Sequence, residues 1–239
     1  KPNQFGLYNQ NRPQQGMPYG LPGVDTDTMK VLADWLHTGA PGERVARAPA
    51  EELNTVARWE AFLNGDSAKQ QLMSRYIFEH LFIGNIHFDE LPQKSRWYRM
   101  VRSHTPPGQP IQIIASRRPY DDPGVEAFYY RLQPRQTSIL AKRHMPYALN
   151  TARMQRWQQL FIDKEYTVTS LPSYASKIGA NPFVAFRELP VDSRYKFMLD
   201  EAQFTIMGFI KGPVCRGQVA LNVIDDHFWV AFARPNNLD

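Results

Sequence analysis

Apolar positions follow two different periods along this chain, and the change between them marks its organisation. Met29, Leu32, Ala33 and Leu36 recur at helical spacing behind Asp25 and Thr26, either of which can cap a helix, and Gly39 and Pro41 end the run. From Pro49 a stronger helical pattern puts Leu53, Val56, Ala57, Phe62 and Leu63 on one face. A second helix begins near Ser67 and carries Leu72, Tyr76, Leu81 and Phe82. With Asn64-Gly65-Asp66 between them, the two helices are expected to form an antiparallel hairpin. The period then shortens. Residues 97–102, 111–115, 128–132 and 138–141 are short β-favouring runs set between proline and glycine turns. Asn150 is placed to cap a helix reaching about Phe161, and a proline-rich crossing occupies residues 171–190. A further helix is expected from about Asp192 to about Ile210, then a last strand at 228–232 and a polar tail at 233–239.

These elements predict an α+β fold without internal repeats. Residues 1–24, rich in Pro, Gly, Asn and Gln, read as an irregular arm, and residues 39–48 are the best linker. The resulting division is a short segment at 1–42 and a mixed α+β domain at 43–239, built of a helical hairpin and short strands.

Composition narrows the function classes only slightly. A content of 43% hydrophobic and 13% aromatic residues supplies a packed core, which excludes general disorder. The net charge of +5 and pI of 9.3 favour anionic partners. The basic residues are nevertheless scattered in pairs such as Arg117-Arg118 and Lys142-Arg143, so no nucleic-acid partner is expected. Cys215 is the sole cysteine, so no internal disulfide can form. No apolar stretch reaches the roughly 18 residues of a spanning helix. The opening Lys-Pro-Asn-Gln is not a signal peptide and reads as the start of a processed or truncated product.

Four stretches carry residues with chemical potential. Met17 lies in the Pro/Gly-rich loop 16–23 just before the first amphipathic helix, an arrangement that resembles the end of a c-type cytochrome domain. A thioether there can be an axial haem ligand; a methionine filling a gap under a loop fits the same residues. The second stretch gathers Cys215, Arg216, Asp225, Asp226, His227 and Trp229 within 15 residues. Cys215 and His227 have the types of a nucleophile and its base, or of a small buried residue and a loop cap. In the third, Arg102, His104, Arg117 and Arg118 stand with Asp121 and Asp122 on rigid Pro/Gly loops, able either to hold a phosphate or carboxylate or to brace the loops. The fourth, His80, His87, Asp89 and Glu90, has metal-ligand types, but Gly84-Asn85 breaks the helix between the histidines and His80 fits a core position.

Several segments together are similar to the fatty acid cis/trans isomerase family of Gram-negative bacteria. They are Gly16-Met-Pro-Tyr-Gly-Leu-Pro-Gly23, Arg75-Tyr-Ile-Phe-Glu-His-Leu-Phe82 with Phe88-Asp-Glu90, Arg102-Ser-His-Thr-Pro-Pro-Gly108, Arg117-Arg-Pro-Tyr-Asp-Asp-Pro-Gly124, Asn181-Pro-Phe183, and Gly212 to Gln218 with Asp225 to Val230. They span nearly the whole chain in family order.

The resemblance implies a periplasmic haem c enzyme, peripheral to the membrane. Such an enzyme turns cis double bonds of phospholipid acyl chains to trans, with oxidised haem iron drawing electron density from the π bond. It also implies Met17 as an iron ligand, Cys215, Arg216, Asp225, Asp226 and His227 as the catalytic stretch, and Arg102, His104, Arg117, Arg118 and Trp229 as substrate-binding residues. Haem attachment needs Cys-x-x-Cys-His, which one cysteine cannot provide. The chain is therefore expected to follow the haem-bearing portion of a longer protein and to be inactive without it. Two other readings remain open: a non-catalytic lipid- or partner-binding module of a cytochrome assembly, and an acyl hydrolase using Cys215 and His227.

Overall fold

The computed structural model describes residues 4–12, 23–42, 48–91, 96–135, 145–202 and 204. The chain divides into two compact units, Lys1–Ala46 and Arg47–Asp239. In the first, α1 (Phe5–Asn11) is a short helix inside the stretch expected to be an irregular arm. Helix α2 (Thr26–His37) follows, capped as anticipated by Asp25, whose carboxylate accepts from the Thr28 amide and hydroxyl at 2.9 and 2.8 Å. Gly39 ends it with φ +87, a left-handed conformation that glycine adopts without strain. Every α2 residue is exposed to some degree, including Met29, Leu32, Trp35 and Leu36.

The second unit is built on a four-stranded mixed sheet of order β3-β2-β1-β4, with β1 (Asn85–Phe88), β2 (Tyr98–Ser103), β3 (Tyr129–Pro134) and β4 (Pro146–Leu149). β2 pairs antiparallel with β1 and β3, whereas β4 runs parallel to β1 in the register Asn85↔Pro146 to Phe88↔Leu149. Helices α3 (Ala50–Leu63) and α4 (Ala68–Leu81) pack on each other and on β3 and β2 respectively. Ser67 caps α4 by accepting from the Gln70 amide. Asn64 fastens the bend between these helices to the sheet. Its Nδ2 donates to the Tyr130 carbonyl at 2.8 Å, and its Oδ1 accepts from the Tyr130 amide at 2.8 Å, as a neighbouring strand would.

Beyond the sheet, α5 (Thr151–Trp157) continues as a π-helical turn at Gln158–Ile162. The proline-rich crossing then contains two one-turn helices, α6 (Ser176–Gly179) and α7 (Pro182–Ala185), and α8 (Val191–Asp200) follows. The core lies between α4, the sheet and these later helices. Trp59 meets Trp157 edge-on at 5.5 Å, and Tyr76 meets Phe186 at 4.9 Å and Phe197 at 5.1 Å.

Three buried glutamates tie helices to strands. Glu52 accepts from the Tyr98 hydroxyl at 2.7 Å, Glu60 from Arg131 Nε and the Leu132 amide at 2.9 Å each, and Glu201 from the Tyr147 hydroxyl at 2.6 Å. A buried carboxylate is tolerable only with such donors around it.

The expected strand at 111–115 is a loop instead. Ile113 makes a single bridge to Ser103, and the Gln112 amide turns to the hydroxyls of Ser103 and Thr105. Residues 138–141, 228–232 and the last part of the expected helix 192–210 fall outside the described residues.

Candidate functional site

Helix α4 is buried continuously from Leu72 to Phe78, so it has no solvent face on which to place a charged residue in that stretch. Arg75 sits in the middle of it, 4% exposed. Its Nε donates to Glu79 Oε1 at 2.9 Å, one turn on, and its Nη1 donates to the Pro172 carbonyl at 2.5 Å. The guanidinium carbon lies 3.7 Å from the Tyr174 ring centroid. Arg75 Nη2 has no hydrogen-bond acceptor among the described residues.

A second guanidinium lies near the same ring. Arg102, on β2, is 1% exposed, and its guanidinium carbon lies 5.5 to 5.7 Å from the rings of Phe78, Phe128 and Tyr174. Nη1 donates to the Asp121 carbonyl at 2.7 Å and Nη2 to Ser116 Oγ at 2.6 Å, while Nε has no acceptor among the described residues. Burial pushes the Glu79 carboxyl up, against the pull of Arg75 and, more weakly, Arg102. Tyr130, fully buried, has its hydroxyl raised well above the usual range by desolvation and by the hydrogen-bonded Tyr174.

Of these groups, Arg75, Phe128, Tyr130 and Tyr174 border a cavity of about 370 Å³ whose walls also include Leu63 and Leu171. A neighbouring hollow of about 270 Å³ shares Leu171 and Pro172 with it and adds Leu72, Ile178 and Val184. A larger cleft of about 510 Å³ lies among Glu51, Asn54, Arg58, Glu90 and Thr151. There Glu90 is engaged in holding the Thr151 amide and hydroxyl at the start of α5, at 2.9 and 3.0 Å. The 370 Å³ cavity, by contrast, joins an aromatic and aliphatic wall to a buried cation, which is the form of an amphiphile site.

The residues singled out from sequence are dispersed. Arg102 belongs to this cluster, but as a buried strand residue and not a loop cation. His104 follows β2 and is exposed, its amide donating to the Gln112 carbonyl at 2.9 Å. Arg117 and Arg118 are exposed; Asp121 accepts from both their amides and pairs with Arg118 Nε at 3.0 Å, so this loop braces itself. His80 is a core histidine, its Nδ1 2.7 Å from the Tyr76 carbonyl and its ring 4.2 Å from the Tyr76 ring. Among the described residues no three His, Cys, Asp or Glu side chains are gathered to hold a metal ion. Met17, Cys215, Arg216, Asp225, Asp226, His227 and Trp229 lie outside the described residues.

Sequence reasoning did not single out Arg75, Phe128, Tyr130 and Tyr174 as candidate site residues. One signal was there: Arg75 and Glu79, an i,i+4 pair, stand among Leu72, Met73, Tyr76, Ile77, Phe78 and Leu81.

A family model described as fatty acid cis/trans isomerase matches residues 1–239. Comparison with curated proteins and with solved structures gave no significant match.

Proposed function

We infer the activity from kinship: this chain belongs to the fatty acid cis/trans isomerase family, and the family match covers all 239 residues. We propose that it takes part in turning cis double bonds of unsaturated acyl chains in membrane phospholipids to trans, at the periplasmic face and peripheral to the bilayer. No described helix is long and apolar enough to cross a membrane. The observation that carries the substrate assignment is the cavity beside Arg75. Its aromatic and aliphatic walls fit a hydrocarbon chain, and its buried cation fits the acidic group such a chain is attached to.

In this proposal the chain's own residues bind and orient. Leu63, Phe128 and Leu171 take up apolar surface, at about 25 cal/mol for each Å² removed from water. The Tyr174 ring, held against Arg75, fixes the angle between the chain and the cation. The 215–229 stretch, with Cys215, Arg216, Asp225, Asp226, His227 and Trp229, is proposed to complete the site around the double bond.

A haem is part of the reading, and these residues do not fit its attachment. Two thioether bonds need two cysteines, and this chain has one. We therefore place the haem on a portion of the protein other than these 239 residues, with Met17 as the contribution of this chain to the iron. No step is derived through it.

The test is the trans-to-cis ratio of extracted phospholipids after incubation with cis-unsaturated membranes. The longest natural form of the protein is expected to raise the ratio, and the 239-residue chain alone to leave it unchanged. An unchanged ratio with the long form refutes the reading. A rise in free fatty acid in its place supports an acyl hydrolase.

A further inference from the structure

Arg75 and Arg102 leave this cluster with more positive than negative charge. Both guanidiniums are nine-tenths buried or more, and Glu79 is the carboxylate bonded to Arg75 and felt by both. Asp121 does not balance Arg102: only its backbone carbonyl reaches that residue, while its carboxylate is taken up by Arg118 and the amides of residues 117 and 118. Among the described residues two donors have no acceptor, on Arg75 Nη2 and Arg102 Nε. A buried cation of this kind is costly unless an anion or a ring of dipoles answers it. The aromatic faces of Phe78, Phe128, Phe186 and Tyr174 supply part of that answer. Of the two arginines, Arg75 lines the cavity.

We propose that Arg75 is an anion-binding residue that receives the acidic end, carboxylate or phosphodiester, of an amphiphilic chain whose hydrocarbon lies along Leu63, Phe128 and Leu171. The proposal rests on the acyl-chain reading above and adds the polarity of binding, acid end at the guanidinium. With one face stacked on Tyr174, Nε on Glu79 and Nη1 on the Pro172 carbonyl, the N–H groups of Nη2 are what this guanidinium has left for an oxygen anion among the described residues. Asp66 and Glu126 also line the cavity, but they are exposed, so water and salt screen them while the buried guanidinium is screened far less. Arg102 stays a positioning residue that holds the Ser116 and Asp121 loop and adds its charge from near the ring.

Calorimetric titration of the 239-residue chain with three probes decides the matter: palmitoleate, its methyl ester, and monopalmitoleoyl glycerophosphate, each below its aggregation threshold. The acid-bearing probes are expected to bind about tenfold more tightly than the neutral ester. Preference for the carboxylate alone assigns free fatty acid, and preference for the phosphate alone assigns the lipid headgroup. Equal binding of all three, or no binding of any, overturns the proposal. Arg75→Met should erase the preference. If that variant does not fold, judged by its melting transition, Arg75→Lys serves in its place, keeping the charge but losing the fork and most of the preference. A retained preference in either folded variant also overturns the proposal. Isomerisation is measured separately, on the longest natural form of the protein, by acyl-chain composition. Acid preference without isomerisation removes the enzymatic reading and leaves the anion site, and isomerisation without acid preference does the reverse.

Discussion

Arg131 donates its Nε to Glu60 Oε2 at 2.9 Å, with both side chains almost fully buried, and the same guanidinium reaches the carbonyls of Thr105, Pro106 and Gln109. One ion pair thus joins α3 to β3 and holds the loop that carries His104. Replacing Glu60 by Gln keeps the size and an acceptor for the Leu132 amide but leaves Arg131 charged and unanswered. A cost of about 3 kcal/mol is expected, since breaking one side of a buried pair strands the other. For a chain of this length that lowers Tm by roughly 6–12 °C. Limited proteolysis should also open the 104–110 loop in Glu60→Gln. A Tm within a degree of the parent would show that the pair is not holding the fold.

Acid should weaken the protein as its partly buried histidines take up protons. Burial lowers the affinity of His80 for a proton, only partly countered by its hydrogen bond to the Tyr76 carbonyl, and burial acts on His87 in the same direction. The folded state then binds fewer protons than the unfolded chain, whose histidines titrate at about 6.5. Their contribution is complete above that pH and is lost as pH falls through it towards the lower folded values. Glu79 and Glu201, raised by burial, act oppositely, in a window beginning near 4.5 and extending up to their folded values. Tm measured from pH 7.5 down to 5.5 is expected to fall. His80→Phe, which packs among Tyr76, Phe186 and Phe197, should flatten the curve and leave the slope due to His87. A parallel curve in that variant would assign the effect elsewhere.

Asn64 stands where a sequence shows only a turn. Asn64-Gly65-Asp66 was legible as the break between α3 and α4, and the helical periods on either side of it were legible too. The two hydrogen bonds from Asn64 to Tyr130, 66 residues away, were not, because nothing local encodes them. The same separation explains the strands. β2 and β3 overlap the expected β-rich runs at 97–102 and 128–132 and extend past them by one and two residues. β1 has four residues after a glycine, β4 begins at a proline, and their pairing is parallel and distant, so neither has a local pattern strong enough to be seen. At 111–115 the reverse happened: β-favouring residues were present, but hydroxyls of Ser103 and Thr105 took the amide that a strand partner needs. Arg102 was read as a loop cation because its apolar neighbours come from Phe78, Phe128 and Tyr174, all distant in sequence. Asn64→Ala should cost about 2 kcal/mol, since the Tyr130 amide and carbonyl lose their partners at once. Chemical denaturation with an unchanged m-value would verify this, and a loss under about 0.5 kcal/mol would show that water replaces the side chain.

Leu171 offers a test of the cavity that spares the buried charges. It is 47% exposed, and it lines both the 370 Å³ cavity and its 270 Å³ neighbour. Substitution by Trp adds bulk where the chain is already open to solvent, so stability should change by no more than about 0.5 kcal/mol. The added ring narrows both hollows at their common wall and removes room for hydrocarbon. Binding of palmitoleate is expected to weaken by about tenfold, because about 1.4 kcal/mol corresponds to the apolar contact of roughly two methylene groups. Short acids such as butyrate reach Arg75 without using that wall and should be affected less. If Leu171→Trp weakens butyrate and palmitoleate equally, the wall is not where the chain lies; if it weakens neither, the acyl chain enters by another route, and the cavity beside Arg75 holds at most the acid group.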